Sequence, residues 1–284
     1  MSKTNLNNLN DRTERMIDKF DLEPNVVHKP DGMWNLYGHP MLIGFIGESI
    51  GMFCFVFVIG VGNLGFWLYV GLYCALMLMV NVSGCHYNPN ITIGQYLCFK
   101  KDGDSLTKLV LWIIAQFIGS SAAILFTYRI SNHEKIIAPV VNAITGTTTA
   151  LIHEFITGGF LVFTNLYVCH PKTSPSKHTW VNVAIFNSVL FFEITMIAGI
   201  TGASLNPAIA ISGNFWGMYL KGKPLNDYGS YGRSLWINSM GPFFGMLAFT
   251  YIYRWFFKKI YVTLRRAVLC NLECTYKMKI VEGF

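Results

Sequence analysis

The stretch SGCHYNPNITI at residues 83–93 returns as TGASLNPAIAI at residues 201–211. Each copy breaks an apolar region with hydrogen-bonding side chains and a proline. The recurrence extends beyond these residues. ESIGMFCFVF (48–57) is matched by EFITGGFLVF (154–163), and AQFIGSSA (115–122) by GPFFGMLA (241–248). Three motifs recurring in one order describe an internal repeat, which governs every later assignment. Around the motifs lie apolar runs at 41–62, 65–83, 106–128, 148–168, 180–200 and 234–257. At 1.5 Å per residue each is long enough for a hydrocarbon core of ~30 Å. Residues 88–99 and 206–217 are apolar but too short to cross. Each repeat therefore has three crossings, an odd number, and the second repeat must run upside down relative to the first.

The Asn-Pro pairs explain the short apolar segments. Asn is a strong helix N-cap and Pro suits the first helical turn, so Asn88-Pro89 and Asn206-Pro207 each predict the start of a half-length helix. Irregular backbone at membrane depth is tolerated only inside protein or against a wet cavity. Two half-helices entering from opposite faces and meeting N-terminus to N-terminus satisfy that condition. Each N-terminus carries roughly half an elementary positive charge, so the meeting point opposes cations and protons.

Composition fits an all-α membrane protein embedded in a lipid bilayer. Only 13% of the residues are charged, against roughly 25% in soluble domains. The net charge of +7 invites a nucleic-acid reading, but its distribution argues against one. Lys and Arg crowd the N-terminal segment, the 100–108 and 169–179 loops and the C-terminal segment from Arg254 onward. The opposite side holds Arg129, Lys135, Lys221, Lys223 and Arg233. This bias predicts both termini on the cytosolic face, or on the matrix face of a mitochondrial membrane. The seven cysteines, most of them in apolar runs, form no disulfide framework. Cys270 and Cys274 have no His or further Cys near them in sequence, and they read as structural or lipid-facing thiols. No enzyme signature, cofactor motif or metal-ligand spacing is visible.

With these residues in view the chain resembles the aquaporin (major intrinsic protein) family over about 41–257. The resemblance rests on Glu48, SGCHYNPN, Ala115-Gln116, His153-Glu154-Phe155, TGASLNPA and Gly241-Pro242. It implies the aquaporin fold, six transmembrane helices plus two re-entrant half-helices, assembled as a homotetramer with a pore in each subunit. It further implies that the Asn88 and Asn206 amides face the pore as donors and that Glu48 and Glu154 brace the re-entrant loops. Gln116 would join that bracing set, and His86 would lie beside the pore.

Two departures from the family pattern bear on function. Asn90 stands where the family usually has the Ala seen at Ala208, and its extra amide is expected to narrow the pore or bond a loop carbonyl. Ile209 stands where the family usually has an Arg. Counting back without gaps puts Ile194 and Ala203, and Leu68 in the second span, at the other constriction positions. The constriction then reads Leu, Ile, Ala, Ile, wholly apolar. Glu193, beside Ile194, is expected to bond a neighbouring helix or an interfacial partner.

Two functions fit this reading. One is a channel for water or small uncharged solutes with an apolar constriction. The alternative is a pore-degenerate aquaporin fold serving as an accessory subunit among the partners of a larger membrane complex. The chain divides into a polar extension (1–40), a channel unit (41–257, with repeats at about 41–128 and 148–257) and a basic tail (258–284). Residues 4–20 read as an amphipathic helix. The tail reads as the sixth helix prolonged onto the membrane surface.

Overall fold

A computed structural model of the chain describes residues 40–62, 65–99, 106–170, 173–221 and 230–282. The amphipathic helix expected at 4–20 lies outside these residues. The described part is a bundle of helices in chain order: α1 (Pro40–Val61), α2 (Phe66–Met79), α3 (Pro89–Phe99), α4 (Leu106–Ile130), α5 (Thr147–Cys169), α6 (Thr179–Thr201), α7 (Pro207–Leu220) and α8 (Ser230–Glu282). Among the described residues α1, α4, α5 and α6 are each long and apolar enough to cross a membrane. The protein is an integral membrane protein, with both half-helices, α3 and α7, starting at the prolines of the two motifs.

The second span is shorter than the 65–83 run suggests. α2 has 14 residues, about 21 Å at 1.5 Å per residue. Apolar composition measures how far lipid can be tolerated, not where a helix ends. The chain leaves helical geometry after Met79, whose carbonyl accepts from the amides of both Val82 and Ser83 at 2.9 Å. It then turns through Gly84 at φ +89°, a conformation that costs glycine little. The sixth span is the first part of α8, a helix of 53 residues. At ~80 Å it is far longer than the bilayer's apolar core.

The two repeats pack alike. α1 lies against α2 and α4, just as α5 lies against α6 and α8, and each half-helix also contacts the other repeat (α3 with α8, α7 with α4). Helices in lipid associate through close backbone approach at small residues. Here the equivalent glycines do this in both halves. A Cβ added at Gly119 of α4 would run into the Ser49 carbonyl of α1. One added at Gly245 of α8 would run into the Phe155 carbonyl of α5. Ser49 and Phe155 each follow the motif glutamate of their repeat. The same crossing is therefore built twice, directly behind Glu48 and Glu154.

Candidate pore

The inverted repeat is sharpest in the backbone that leads into each half-helix. Gly84, Cys85 and Tyr87 have φ of +89°, +47° and +46°; their counterparts Gly202, Ala203 and Leu205 have +82°, +50° and +54°. Non-glycine residues rarely adopt such values, and when they do the surroundings must hold them there. The motif glutamates hold them. Glu48 Oε1 accepts from the Tyr87 amide at 2.6 Å and from Gln116 Nε2 at 2.7 Å. Glu154 Oε2 accepts from the Leu205 amide at 3.0 Å, while its Oε1 accepts from the Ser204 amide at 3.0 Å and the Thr201 hydroxyl at 2.6 Å. Both carboxylates are fully buried, so each supplies acceptors where no solvent can. Gln116 also donates to Thr92 Oγ1 at 2.9 Å, and that hydroxyl lies 3.1 Å from His86 Nδ1.

The half-helices then start as their sequences dictate. Asn206 has extended backbone with Pro207 in the first turn, and its Oδ1 accepts from the Ala208 amide at 3.0 Å. Asn88 Oδ1 accepts from the Asn90 amide at 2.9 Å. The amino ends of the two side chains reach across the repeat boundary. Asn88 Nδ2 donates to the Leu205 carbonyl at 2.9 Å, and Asn206 Nδ2 to the Tyr87 carbonyl at 2.6 Å. Each asparagine thus caps its own helix and ties down the other repeat's loop. An amide nitrogen carries two hydrogens, so one N–H on each remains for another acceptor.

Asn88 and Asn206 lie on the wall of a cavity of about 480 Å³. Ile194, Ala203, Ile209 and His86 share that wall, as do Phe55, Phe186 and Leu190. Apart from the asparagines, His86 and Ser204, side chains around the neck are mostly apolar. The helix N-termini aim their positive ends at its middle.

Several expectations need correction. Leu68 is buried but not on this wall; it packs beside Gly62 at the junction of α1 and α2. A count of residues cannot register the turn at 80–83, which shifts α2 against the motif. Asn90 neither narrows the cavity nor bonds a loop carbonyl. Its side chain is fully buried, and neither side-chain polar atom has a partner among the described residues. Glu193 likewise makes no bond to a neighbouring helix. It is 1% exposed, and neither carboxylate oxygen has a partner among the described residues. It is buried along α6 together with Leu190 and Ile197.

One part of the wall had no signal in the sequence. Residues Glu134–Pro139, from the connection between α4 and α5, fold back over the neck and line the cavity's mouth. They are seated by polar clamps from distant helices. The Pro139 carbonyl accepts from Asn238 Nδ2 at 2.9 Å and from Asn214 Nδ2 at 3.2 Å, and the Val141 amide donates to Ser234 Oγ at 2.8 Å.

This architecture has known counterparts. A family model described as major intrinsic protein matches residues 51–253. Aquaporin PIP2-7 of Musa acuminata is 31% identical over 197 residues, covering 66% of each chain. Aquaporin AqpM of Methanothermobacter thermautotrophicus is 29% identical over 212 residues, covering 68% of this chain and 78% of its own length. Aquaporin PIP2-1 of Arabidopsis thaliana is 30% identical, covering 66% of this chain and 63% of its own. The chain thus spans just under two thirds of the length of the two plant relatives. Among solved structures, the aquaglyceroporin from Plasmodium falciparum superposes with a TM-score of 0.64 over 75% of this chain and 95% of its own, at 21% identity. The likeness at that identity speaks for the fold. The family match runs from inside α1 to Tyr253 of α8 and takes in both half-helices with their asparagines, so the chain belongs to the major intrinsic protein family.

Proposed function

We propose that this protein is a transmembrane channel for water or small uncharged solutes, with the cavity between the two Asn-Pro turns as its path. The observation that carries this is the reciprocal pair Asn88–Leu205 and Asn206–Tyr87, which fixes two helix N-termini against a cavity of about 480 Å³. A neutral solute replaces its lost hydration with the remaining asparagine N–H groups. A cation meets two positive helix ends instead. The similarities to aquaporins favour this reading over an accessory subunit of a larger complex.

The finer assignments follow from the same reading. Ile194, Ala203 and Ile209 form an apolar constriction, and such walls offer a file of water no hydrogen bonds. Water therefore passes slowly. Glu48, Glu154 and Gln116 act behind the wall by holding the two turns in shape, with His86 beside the path. The channel unit is 41–257, flanked by the 1–40 and 258–284 segments. The protein assembles as a homotetramer with both termini on the cytosolic or mitochondrial matrix side, the side that carries most of the Lys and Arg.

Stopped-flow light scattering on proteoliposomes tests the proposal. The expected result is glycerol or water equilibration faster than in protein-free vesicles and abolished in Asn88→Asp/Asn206→Asp, where the amide donors are gone. Equilibration no faster than in empty vesicles, for both solutes, would sink it.

A further inference from the structure

An apolar neck cannot discriminate charge by contact, so the placement of the nearest fixed charges matters. Among the described residues lining the cavity, Glu134 and Lys135 carry a formal charge, and both sit at its mouth. The chain is directed there by the end of α4. Asn132 and His133 take φ of +52° and +68°, a left-handed stop that Asn tolerates better than most residues. The His133 amide donates to the Tyr128 carbonyl at 2.9 Å. The Lys135 amide then donates to Ser131 Oγ at 3.0 Å, which anchors the backbone under the lysine.

The residues after it are wedged. Ile137 fills the space a Cβ would take at Gly60 of α1, and its carbonyl lies against Gly213 of α7. The Pro139 clamps complete the seat. Lys135 thus stands on fixed backbone at the rim of the cavity, with its side chain exposed. Arg129, the other cation of this turn, is held 3.1 Å from His133 Nε2 and is not on the wall.

We propose that Lys135 is a first charge filter of this channel, so that selection against cations begins at the mouth, ahead of the two positive helix ends and of the apolar neck at Ile209. The proposal rests on the channel reading above. A unit charge ~6 Å from a passing ion, at an effective dielectric of ~20 to ~80, alters ion occupancy by roughly three- to a hundredfold.

The test uses the full chain in proteoliposomes. A potential-sensitive dye reads Na⁺ and Cl⁻ leak under a NaCl gradient, and glycerol equilibration is measured on the same preparation. The unmodified protein should pass glycerol and exclude Na⁺. Lys135→Glu should raise Na⁺ leak by about tenfold or more, Lys135→Arg should restore exclusion, and Glu134→Gln should show no added Na⁺ leak. Lys135→Glu vesicles that still pass glycerol yet hold Na⁺ out would overturn the proposal, as would a leak equal in Lys135→Arg. A preparation in which the unmodified protein passes neither glycerol nor water overturns the channel reading first, and this inference with it.

Discussion

Ile209 is 5% exposed and borders the cavity. The cavity of about 480 Å³ beside it has room for a longer side chain. Ile209→Arg should therefore be tolerated and should raise osmotic water permeability several-fold, since its guanidinium offers donors where the Ile194, Ala203 and Ile209 side chains offer none. Loss of expression in that variant would mean the neck is closed, because a buried, unpaired charge costs several kcal/mol. Glu154 carries a different load. Glu154→Ala strands the amides of Ser204 and Leu205, and each unsatisfied buried donor costs about 1–3 kcal/mol. The variant should lose about 2–6 kcal/mol of stability, seen as a lowered thermal midpoint in detergent. Glu154→Gln keeps one acceptor but points an NH₂ group at a donor, and should fall between. If Glu154→Ala melts with the unmodified protein, the bracing role assigned to Glu154 is wrong.

Among helices the decisive contact is the crossing at Gly119 and Gly245. Gly245→Val must push α5 and α8 apart, since the added Cβ meets the Phe155 carbonyl. Overpacking of this kind typically costs about 1–3 kcal/mol, more where the obstacle is backbone. Gly199→Ala on α6, with nothing within 4 Å of the added carbon, is the matched control. Thermal melts should separate the two variants, and equal melts would argue that the crossing is slack. The elements were unevenly legible. The starts of α3 and α7 could be read because capping is local chemistry, written in Asn-Pro itself. The end of α2 could not, since Val80 and Val82 suit lipid as well as Met79 does. The fold of 134–139 into the mouth was invisible because its partners, Gly60, Gly213, Asn214 and Asn238, are far off in sequence. Glu193 shows the converse. Its oddity was plain in the sequence, yet the described residues supply it no bonded partner.

For the whole molecule, charge distribution and span count together predict orientation. Labels at the two termini should be reached from one side of the membrane only. A label at Ile144, which is 92% exposed in the α4–α5 connection, should be reached only from the other. Termini found on opposite faces would contradict the odd-numbered repeat, not merely the charge bias. The repeat itself was legible because its motifs recur in order. The prolongation of α8 beyond the sixth span was legible too, because no Pro or Gly in 258–282 marks an end.

The crossed asparagine bonds also set an order of events during biosynthesis. A nascent chain that has inserted α1 to α4 already contains Asn88 and Tyr87, but the carbonyl of Leu205 and the amide of Asn206 have not yet been made. Until the second repeat arrives, Asn88 Nδ2 and the Tyr87 carbonyl have no protein partner across the boundary, and the turn from Gly84 to Asn88 waits in a wet, half-built site. The first repeat is thus an obligate intermediate rather than a finished half. A chain truncated before α5 should label Cys85 with a water-soluble maleimide faster than the complete protein, in which Cys85 is partly buried. The two halves mature in a single late step, when the second Asn-Pro turn docks on the first.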